Sequence, residues 1–150
     1  MSSEIKKYPY VIKGVPQVFP NISKNTPLFS NAVVVGNLVF VSGQTAIDPE
    51  TGVCISNTIQ EQTQIVMEKL DRTLQECGTS LEYLIKDLII LKDMADYPVM
   101  RAVQQEYYRQ HAPSLLEAPP GSTVFQAAQL VRPYYKIEIE AVAYIPEKEE

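Results

Sequence analysis

Residues 31–42 read NAVVVGNLVFVS, in which two runs rich in β-branched side chains flank Gly36-Asn37. β-Branched side chains favour extended backbone. A Gly-Asn pair between two such runs is typical of the mirror-image turn that closes a two-residue hairpin. We therefore predict antiparallel strands over residues 31–35 and 38–42, and a fold built on a β-sheet.

A long amphipathic helix is predicted downstream of the turn-rich loop at residues 48–52. Asn57 is the expected N-cap, with Gln60 as the returning half of a capping box. Gly78 provides the stop. The side chains spaced three and four apart on the predicted buried face are Ile59, Thr63, Val66, Leu70, Leu74 and Cys77.

The rest of the chain supplies a second helix between strands. Residues 84–91 are predicted as a strand, and Asp96 is the expected cap of a helix with Pro98 in its first turn. This helix should end near His111. The side chains predicted to share one of its faces are Val99, Val103 and Tyr107.

Two further strands are predicted, over residues 123–130 and 135–145, the second with one apolar face and one partly charged face. The element order is β-β-α-β-α-β-β, which favours an α+β two-layer sandwich. Four prolines mark residues 1–27 as an extended N-terminal arm or edge segment. Residues 28–146 are then one domain, and residues 147–150 a flexible tail.

The composition of the chain disfavours several classes of function. The chain has 13 basic and 18 acidic side chains and no basic run, which disfavours nucleic-acid binding. Cys54 and Cys77 form no CxxC or Cys/His group, so we expect reduced thiols and neither a metal nor a cofactor. The N-terminus has no apolar leader and no stretch is long enough to span a membrane, so a cytoplasmic protein is expected.

Several blocks resemble, in order, the Rid (YjgF) family of enamine and imine deaminases. They are FSNAVVVGNLVFVSGQ at residues 29–44, DPETG at 48–52, KDMADY at 92–97 and KIEIEAVA at 136–143. The resemblance implies a chorismate-mutase-like fold assembled as a homotrimer, with clefts between subunits and without a metal or organic cofactor. It also implies hydrolysis of reactive enamines or imines to a carbonyl compound and ammonia.

The resemblance gives Glu138 the catalytic role, since a carboxylate can orient the attacking water. It places Phe29, Ser42, Gly43 and Tyr97 around the substrate. Read from the residues alone, Glu138 could instead be a solvated glutamate on the polar face of the last strand. Ser42 and Gly43 could equally be ordinary turn residues.

The chain differs from the family at the position expected to bind the substrate carboxylate. Gly121 stands where the family has an arginine in a P-x-R-[ST] loop, and it is followed by Ser122 and Thr123, whose hydroxyl or backbone groups would meet the ligand. Losing the carboxylate anchor should cost about 2–5 kcal/mol if the carboxylate stayed buried and unpaired. Phe29 also replaces the usual tyrosine. Arg132, in a two-residue insertion, could be a substitute anchor or a solvated turn residue.

We therefore expect a deaminase whose substrate is not the standard small 2-imino acid but a larger or less acidic enamine. The alternative is a trimer that binds a small metabolite without catalysis. Endoribonuclease activity, attributed to some members of the family, is less favoured because the chain is acidic. The homotrimer is also favoured by apolar groups on both faces of the last strand, which call for a covering subunit.

Overall fold

The computed structural model describes residues 4–18, 26–54 and 56–147. Within them the fold is an α+β two-layer sandwich, as predicted. Its strands are β1 (Ile5–Pro9), β2 (Val11–Ile12), β3 (Val15–Pro16), β4 (Ser30–Val35), β5 (Leu38–Gln44), β6 (Leu84–Leu91), β7 (Gly121–Gln126) and β8 (Ile137–Tyr144). Its helices are α1 (Ile59–Glu76), α2 (Tyr97–His111) and α3 (Ser114–Glu117).

Six strands form the main sheet in the order β1-β4-β5-β8-β6-β7. Strands β6 and β7 pair in parallel and the other neighbours pair antiparallel. Helices α1 and α2 pack together on one side of this sheet. Strands β2 and β3 form a small separate hairpin.

The predicted hairpin is confirmed as β4 and β5, with Val35 opposite Leu38 and Gly36 at φ 60°. Both strands are slightly longer than predicted. The register between β5 and β8 shifts between Val41 and Gln44, so that β5 carries a bulge there. Such bulges re-aim side chains and often lie beside active sites.

The amphipathic helix is confirmed as α1, and all six stripe residues are buried. The predicted cap was wrong by one residue. Thr58, not Asn57, is the N-cap, and its hydroxyl accepts a hydrogen bond from the Glu61 backbone N–H at 3.2 Å. Ile59, the first helical residue, is buried, and this places the start of the helix directly after Thr58. Gly78, at φ 88°, ends the helix as predicted.

Helix α2 has the predicted span, but its buried face differs from the prediction. Val99 and Val103 are only partly buried, and the buried residues are Met100, Gln104, Tyr107 and Tyr108. Apolar periodicity does not predict this face, because a polar residue, Gln104, turns into the core, where it hydrogen-bonds a buried carboxylate. The Asp96 side chain makes no capping hydrogen bond.

Strand β7 begins and ends earlier than predicted, because its parallel partner sets its length. Its first residue, Gly121, pairs with Lys86, and its last, Gln126, pairs with Leu91 at the end of β6. The last strand was predicted over residues 135–145 and is observed over the shorter span of β8. Its alternation is confirmed, since the side chains at 137, 139, 141 and 143 are all buried beneath the helices.

The other face of the sheet carries large apolar side chains without a covering layer in the described chain. The exposed fractions include 38% for Leu38, 44% for Phe40, 43% for Phe125 and 38% for Tyr144. We call this surface the open face. A single soluble chain seldom leaves so many neighbouring apolar groups in water.

The N-terminal segment contributes an edge strand rather than only an arm. β1 pairs antiparallel with β4, with Lys6 opposite Val34, and β2 and β3 turn back through Lys13 and Gly14, both at positive φ. The predicted boundary after residue 27 stays a prediction. The predicted tail lies outside the described residues, apart from residue 147.

Candidate functional site

Glu138 lies on the open face of β8, directly over the bulge of β5. A Cβ built at Gly43 would stand 2.7 Å from Glu138 Cδ and 2.9 Å from Cγ, and would overlap the carboxylate itself. The Glu138 side chain therefore rests against the Gly43 backbone, in space that any other residue at position 43 would fill. Glycine is required here for close approach rather than for an unusual φ.

Burial raises the pKa of Glu138, and the charge of Glu140 two residues away adds to the increase. A carboxylate with a raised pKa is a stronger base than an ordinary glutamate, and it can exchange a proton closer to neutral pH. Among the sequence-predicted residues, Glu138 thus has an environment suited to proton transfer.

The bulge is held in place by side chains on β4 and β5. The Ser42 hydroxyl donates to the Ser30 carbonyl at 2.6 Å. The Gln44 amide donates to Asn31 Oδ1 and to the Ser42 carbonyl, both at 3.0 Å. Because the Ser42 proton is used within the chain, Ser42 and Gly43 would meet a ligand through main-chain groups or as acceptors.

Phe29 stacks on Tyr10, with ring centroids 4.4 Å apart and an angle of 22° between the rings. Burial raises the pKa of Tyr10, while the positive charge of Arg132 acts in the opposite direction, so Arg132 lies near this aromatic pair. Tyr10 therefore places a phenol beside Phe29, the residue that replaces the tyrosine usual in the family. This contact was not predicted, because Tyr10 lies in the N-terminal segment, which was placed outside the domain.

A cation lies beside Gly121, where the expected arginine is missing. The Lys86 ammonium donates to the Thr123 hydroxyl at 3.0 Å. A Cβ at Gly121 would lie 3.9 Å from Lys86 Cδ. Lys86 and Thr123 therefore form a small polar group on the open face, next to the missing guanidinium.

One chain does not bring this group to Glu138. Gly121 on β7 pairs with Lys86 on β6, and Glu138 on β8 pairs with Ile90, also on β6. Four residues along a strand and two strand spacings separate the two positions, which amounts to about 16 Å. Within one chain, Glu138 and the Lys86–Thr123 group are two separate parts of the predicted site.

Tyr97 and Ser122 lie on the helix side of the sheet. Both bind Arg101, whose Nε donates to the Tyr97 hydroxyl at 3.1 Å and whose Nη2 donates to the Ser122 hydroxyl at 2.9 Å. The structure brings these two predicted residues together, but with Arg101 rather than with Glu138. Arg101 is not among the residues predicted for the site from the sequence.

The described residues contain no group of three or more His, Cys, Asp or Glu side chains that could hold a metal ion. Cys54 and Cys77 are both free. No helix in the described part of the chain combines the length and the hydropathy needed to cross a bilayer.

Comparison with known proteins gives a consistent result. The family described as Endoribonuclease L-PSP matches residues 22–145. A RutC family protein of Pyrococcus abyssi is 38% identical over 116 residues, which cover 77% of this chain and 85% of that protein. The chloroplastic Reactive Intermediate Deaminase A of Arabidopsis thaliana is 33% identical over 115 residues, covering 77% of this chain and 57% of the relative.

The fold has close counterparts among solved structures. A putative endoribonuclease from Thermotoga maritima is 34% identical and superposes with a TM-score of 0.72, over 95% of this chain and 99% of that one. The family match over residues 22–145 includes both Gly43 and Glu138.

Proposed function

The chain belongs to the Rid (YjgF) family, and from this we propose that it hydrolyses a reactive enamine or imine to a carbonyl compound and ammonia. The observation that carries the proposal is the Glu138 carboxylate, seated on the Gly43 bulge with a raised pKa. The similarity to a protein named Reactive Intermediate Deaminase A supports the same chemistry.

Glu138 would act as the general base. It takes a proton from a water molecule as the water oxygen bonds to the imine carbon, and passes that proton to the imine nitrogen, which gives a neutral carbinolamine. Glu138 then takes the proton of the carbinolamine hydroxyl and delivers it to the nitrogen, so that the C=O bond forms as the C–N bond breaks and ammonia leaves. An enamine substrate would first be protonated at carbon to give the imine. Such base catalysis contributes about 10²–10⁴-fold to a rate.

We propose that the site is completed in a homotrimer, in clefts between neighbouring subunits. The exposed apolar side chains of the open face, Phe40 and Tyr144 among them, require cover. Glu138 and the Lys86–Thr123 group share this face, but the strand positions of Lys86 and Thr123 lie about 14 and 12 Å from that of Glu138 in one chain. A neighbouring subunit packed on the face could bring its own Lys86 and Thr123 to Glu138.

Two cations are candidates for holding an acidic substrate in place of the missing arginine. Lys86 lies next to Gly121 and already binds the Thr123 hydroxyl. Arg132 lies near the Tyr10–Phe29 pair. Lysine lacks the planar fork that binds a carboxylate through two hydrogen bonds. The substrate is accordingly expected to be larger or less acidic than the small 2-imino acids.

The test is a coupled assay in which an amino-acid oxidase generates 2-iminobutanoate and other imines, and ammonia or keto acid is followed with and without the protein. We expect acceleration with the larger or less acidic imines rather than with 2-iminobutanoate, and a loss of about 10²-fold or more in Glu138→Gln. Glu140→Gln is the matched control, and should keep most of the activity with a shifted pH profile. If no imine or enamine is hydrolysed faster than it is spontaneously, a binding function replaces the proposal.

The two anchors are distinguished by paired variants. If Lys86 binds a substrate carboxylate, Lys86→Met should raise KM for acidic imines and leave neutral enamines unaffected. Arg132→Gln should do so instead if Arg132 is the anchor. Equal activity of both variants on acidic imines would eliminate both cations as anchors.

A further inference from the structure

A pocket of about 380 Å³ lies between α2, α3 and the strands β6 and β7. This volume suits one small molecule. Its inner wall is made by Asp87 and Tyr108, its polar side by Arg101, and its apolar rim by Leu116, Pro119 and Pro120. We call it the helix-side pocket.

Two buried polar atoms at this pocket have no hydrogen-bond partner among the described residues. Asp87 is 1% exposed, and its Oδ2 accepts from the Gln104 amide at 3.2 Å, while Oδ1 is unpaired. Tyr108 is 5% exposed and its hydroxyl is unpaired. Both side chains line the pocket, and leaving such groups unpaired is unfavourable for the fold. A donor entering the pocket would remove that cost.

Burial raises the pKa of Asp87, although the nearby Ser122 hydroxyl and the charge of Arg101 act in the opposite direction. The Ser122 hydroxyl makes no hydrogen bond to Oδ1, which therefore keeps its acceptor capacity. Burial likewise raises the pKa of the Tyr108 phenol, and the Asp87 charge contributes. A cationic donor beside both groups would favour the ionised carboxylate. The electrostatic environment therefore agrees with the unpaired atoms.

Arg101 retains hydrogen-bonding capacity at the same pocket. A guanidinium has five N–H donors. Within the described part of the chain three of them are used in Arg101, on the hydroxyls of Tyr97 and Ser122 and on Gln104 Oε1 at 2.7 Å. The two remaining donors suit an anionic group. These contacts also hold the guanidinium in a fixed orientation, which lowers the entropy lost when a ligand binds.

Of the described residues around the pocket, Asp87 and Arg101 are the charged ones. One carboxylate and one guanidinium match a ligand with a cation and an anion, and the leucine and proline rim matches an apolar substituent. We propose that the helix-side pocket binds an α-amino acid with an apolar side chain. Its ammonium would donate to Asp87 Oδ1 and Tyr108, and its carboxylate would accept from Arg101.

This pocket is separate from the proposed deaminase cleft and does not depend on it. Asp87 pairs with Ala141 across β6 and β8, and both are buried on the helix side of the sheet. Glu138 pairs with Ile90, and these two residues lie three positions along their strands from Ala141 and Asp87, an odd number. Because successive side chains alternate between faces, the sheet itself lies between the two sites.

The experiment is calorimetric titration of the full chain with L-leucine, beside two analogues that each lack one charged group. 4-Methylpentanoate has no ammonium, and 3-methylbutylamine has no carboxylate. We expect L-leucine to bind and each analogue to bind at least about tenfold more weakly, because a charged hydrogen bond is worth about 1.5–3 kcal/mol.

Variants of the lining residues test whether L-leucine binds in the helix-side pocket. Asp87→Asn should weaken L-leucine binding at least about tenfold, and Tyr108→Phe, which removes one oxygen and keeps the ring, by about fivefold. Circular dichroism checks that each variant is folded. Glu138→Gln is the control for the other face, and should bind L-leucine like the unaltered chain even where it abolishes deamination.

Three results would overturn the proposal. The first is no heat and no thermal shift with L-leucine at about 10 mM, a concentration that would reveal even millimolar affinity. The second is unchanged binding in both Asp87→Asn and Tyr108→Phe. The third is loss of binding in Glu138→Gln, which would place the amino acid in the deaminase cleft.

Discussion

Replacing Gly43 by alanine should displace the proposed catalytic base without removing it. The added Cβ would stand 2.7 Å from Glu138 Cδ and 2.9 Å from Cγ, whereas carbon atoms in contact normally lie about 3.5–4.0 Å apart. The side chain must therefore withdraw by about 1 Å. Gly43 is not among the residues at positive φ in the described chain, so its backbone can accept alanine.

The expected loss of activity follows from that displacement. A misplacement of about 1 Å in an active site can reduce a rate about 10²-fold, equivalent to about 2.7 kcal/mol of transition-state stabilisation. Stability should change little, because the atoms that move belong to the end of a flexible, half-buried side chain. We therefore expect a large decrease in kcat and a small decrease in Tm.

The assay is imine hydrolysis in the coupled system, with kcat and KM measured separately and Tm measured by calorimetry. Gly121→Ala is the matched control, because a Cβ there would meet atoms at 3.7 and 3.9 Å, which are ordinary contact distances. The double variant Gly43→Ala with Glu138→Gln should be no slower than Glu138→Gln alone, since both changes act on one group.

Full activity in Gly43→Ala, with an unchanged Tm, would refute the reasoning that Glu138 must lie against the bulge to work. A further decrease in the double variant would also count against it, because Gly43 would then act independently of Glu138. If Gly121→Ala lost as much activity as Gly43→Ala, the argument from contact distances would be wrong.

Three other expectations can be checked directly. Thr58→Ala should lower the free energy of unfolding by about 1 kcal/mol in urea titrations while Asn57→Ala leaves it unchanged, because Thr58 is the cap. Phe40→Glu should dissociate the proposed trimer in sedimentation experiments, whereas Gln110→Glu on α2 should not. Burial raises the pKa of Glu138, so its ionisation opposes folding above that pKa. In the Phe40→Glu background, where no neighbouring Lys86 reaches Glu138, Glu138→Gln should therefore raise Tm at neutral pH and give progressively less gain in acid.

The features that the sequence predicted well are those with local causes. The β4–β5 hairpin depends on Gly36 at φ 60° and on the residues beside it. The stripe of α1 depends on a period of 3.6 residues that any neighbouring layer would select. The Thr58 cap was missed because Asn57 and Thr58 are both suitable caps. Burial of Ile59 by the tertiary structure decides between them.

The features that the sequence did not predict depend on residues far apart in the chain. Tyr10 stacks on Phe29 because the N-terminal segment returns beside β4. Gln104 is buried because it reaches Asp87, 17 positions earlier, on the neighbouring strand layer. Apolar periodicity assigns a glutamine to the surface. A buried polar pair of this kind is therefore visible only once the fold is known.

Electrostatics connects the proposed assembly with the proposed catalysis. A subunit packed on the open face would remove water from around Glu138, whose pKa burial and Glu140 already raise. An unpaired carboxylate in such an interface is costly, so the arriving surface must bring a cation or leave a wet cleft. Lys86, bound to Thr123 on the same face, is a cation available from the neighbour. Its arrival would stabilise the ionised base that hydrolysis requires, which gives a physical reason for a site divided between two subunits.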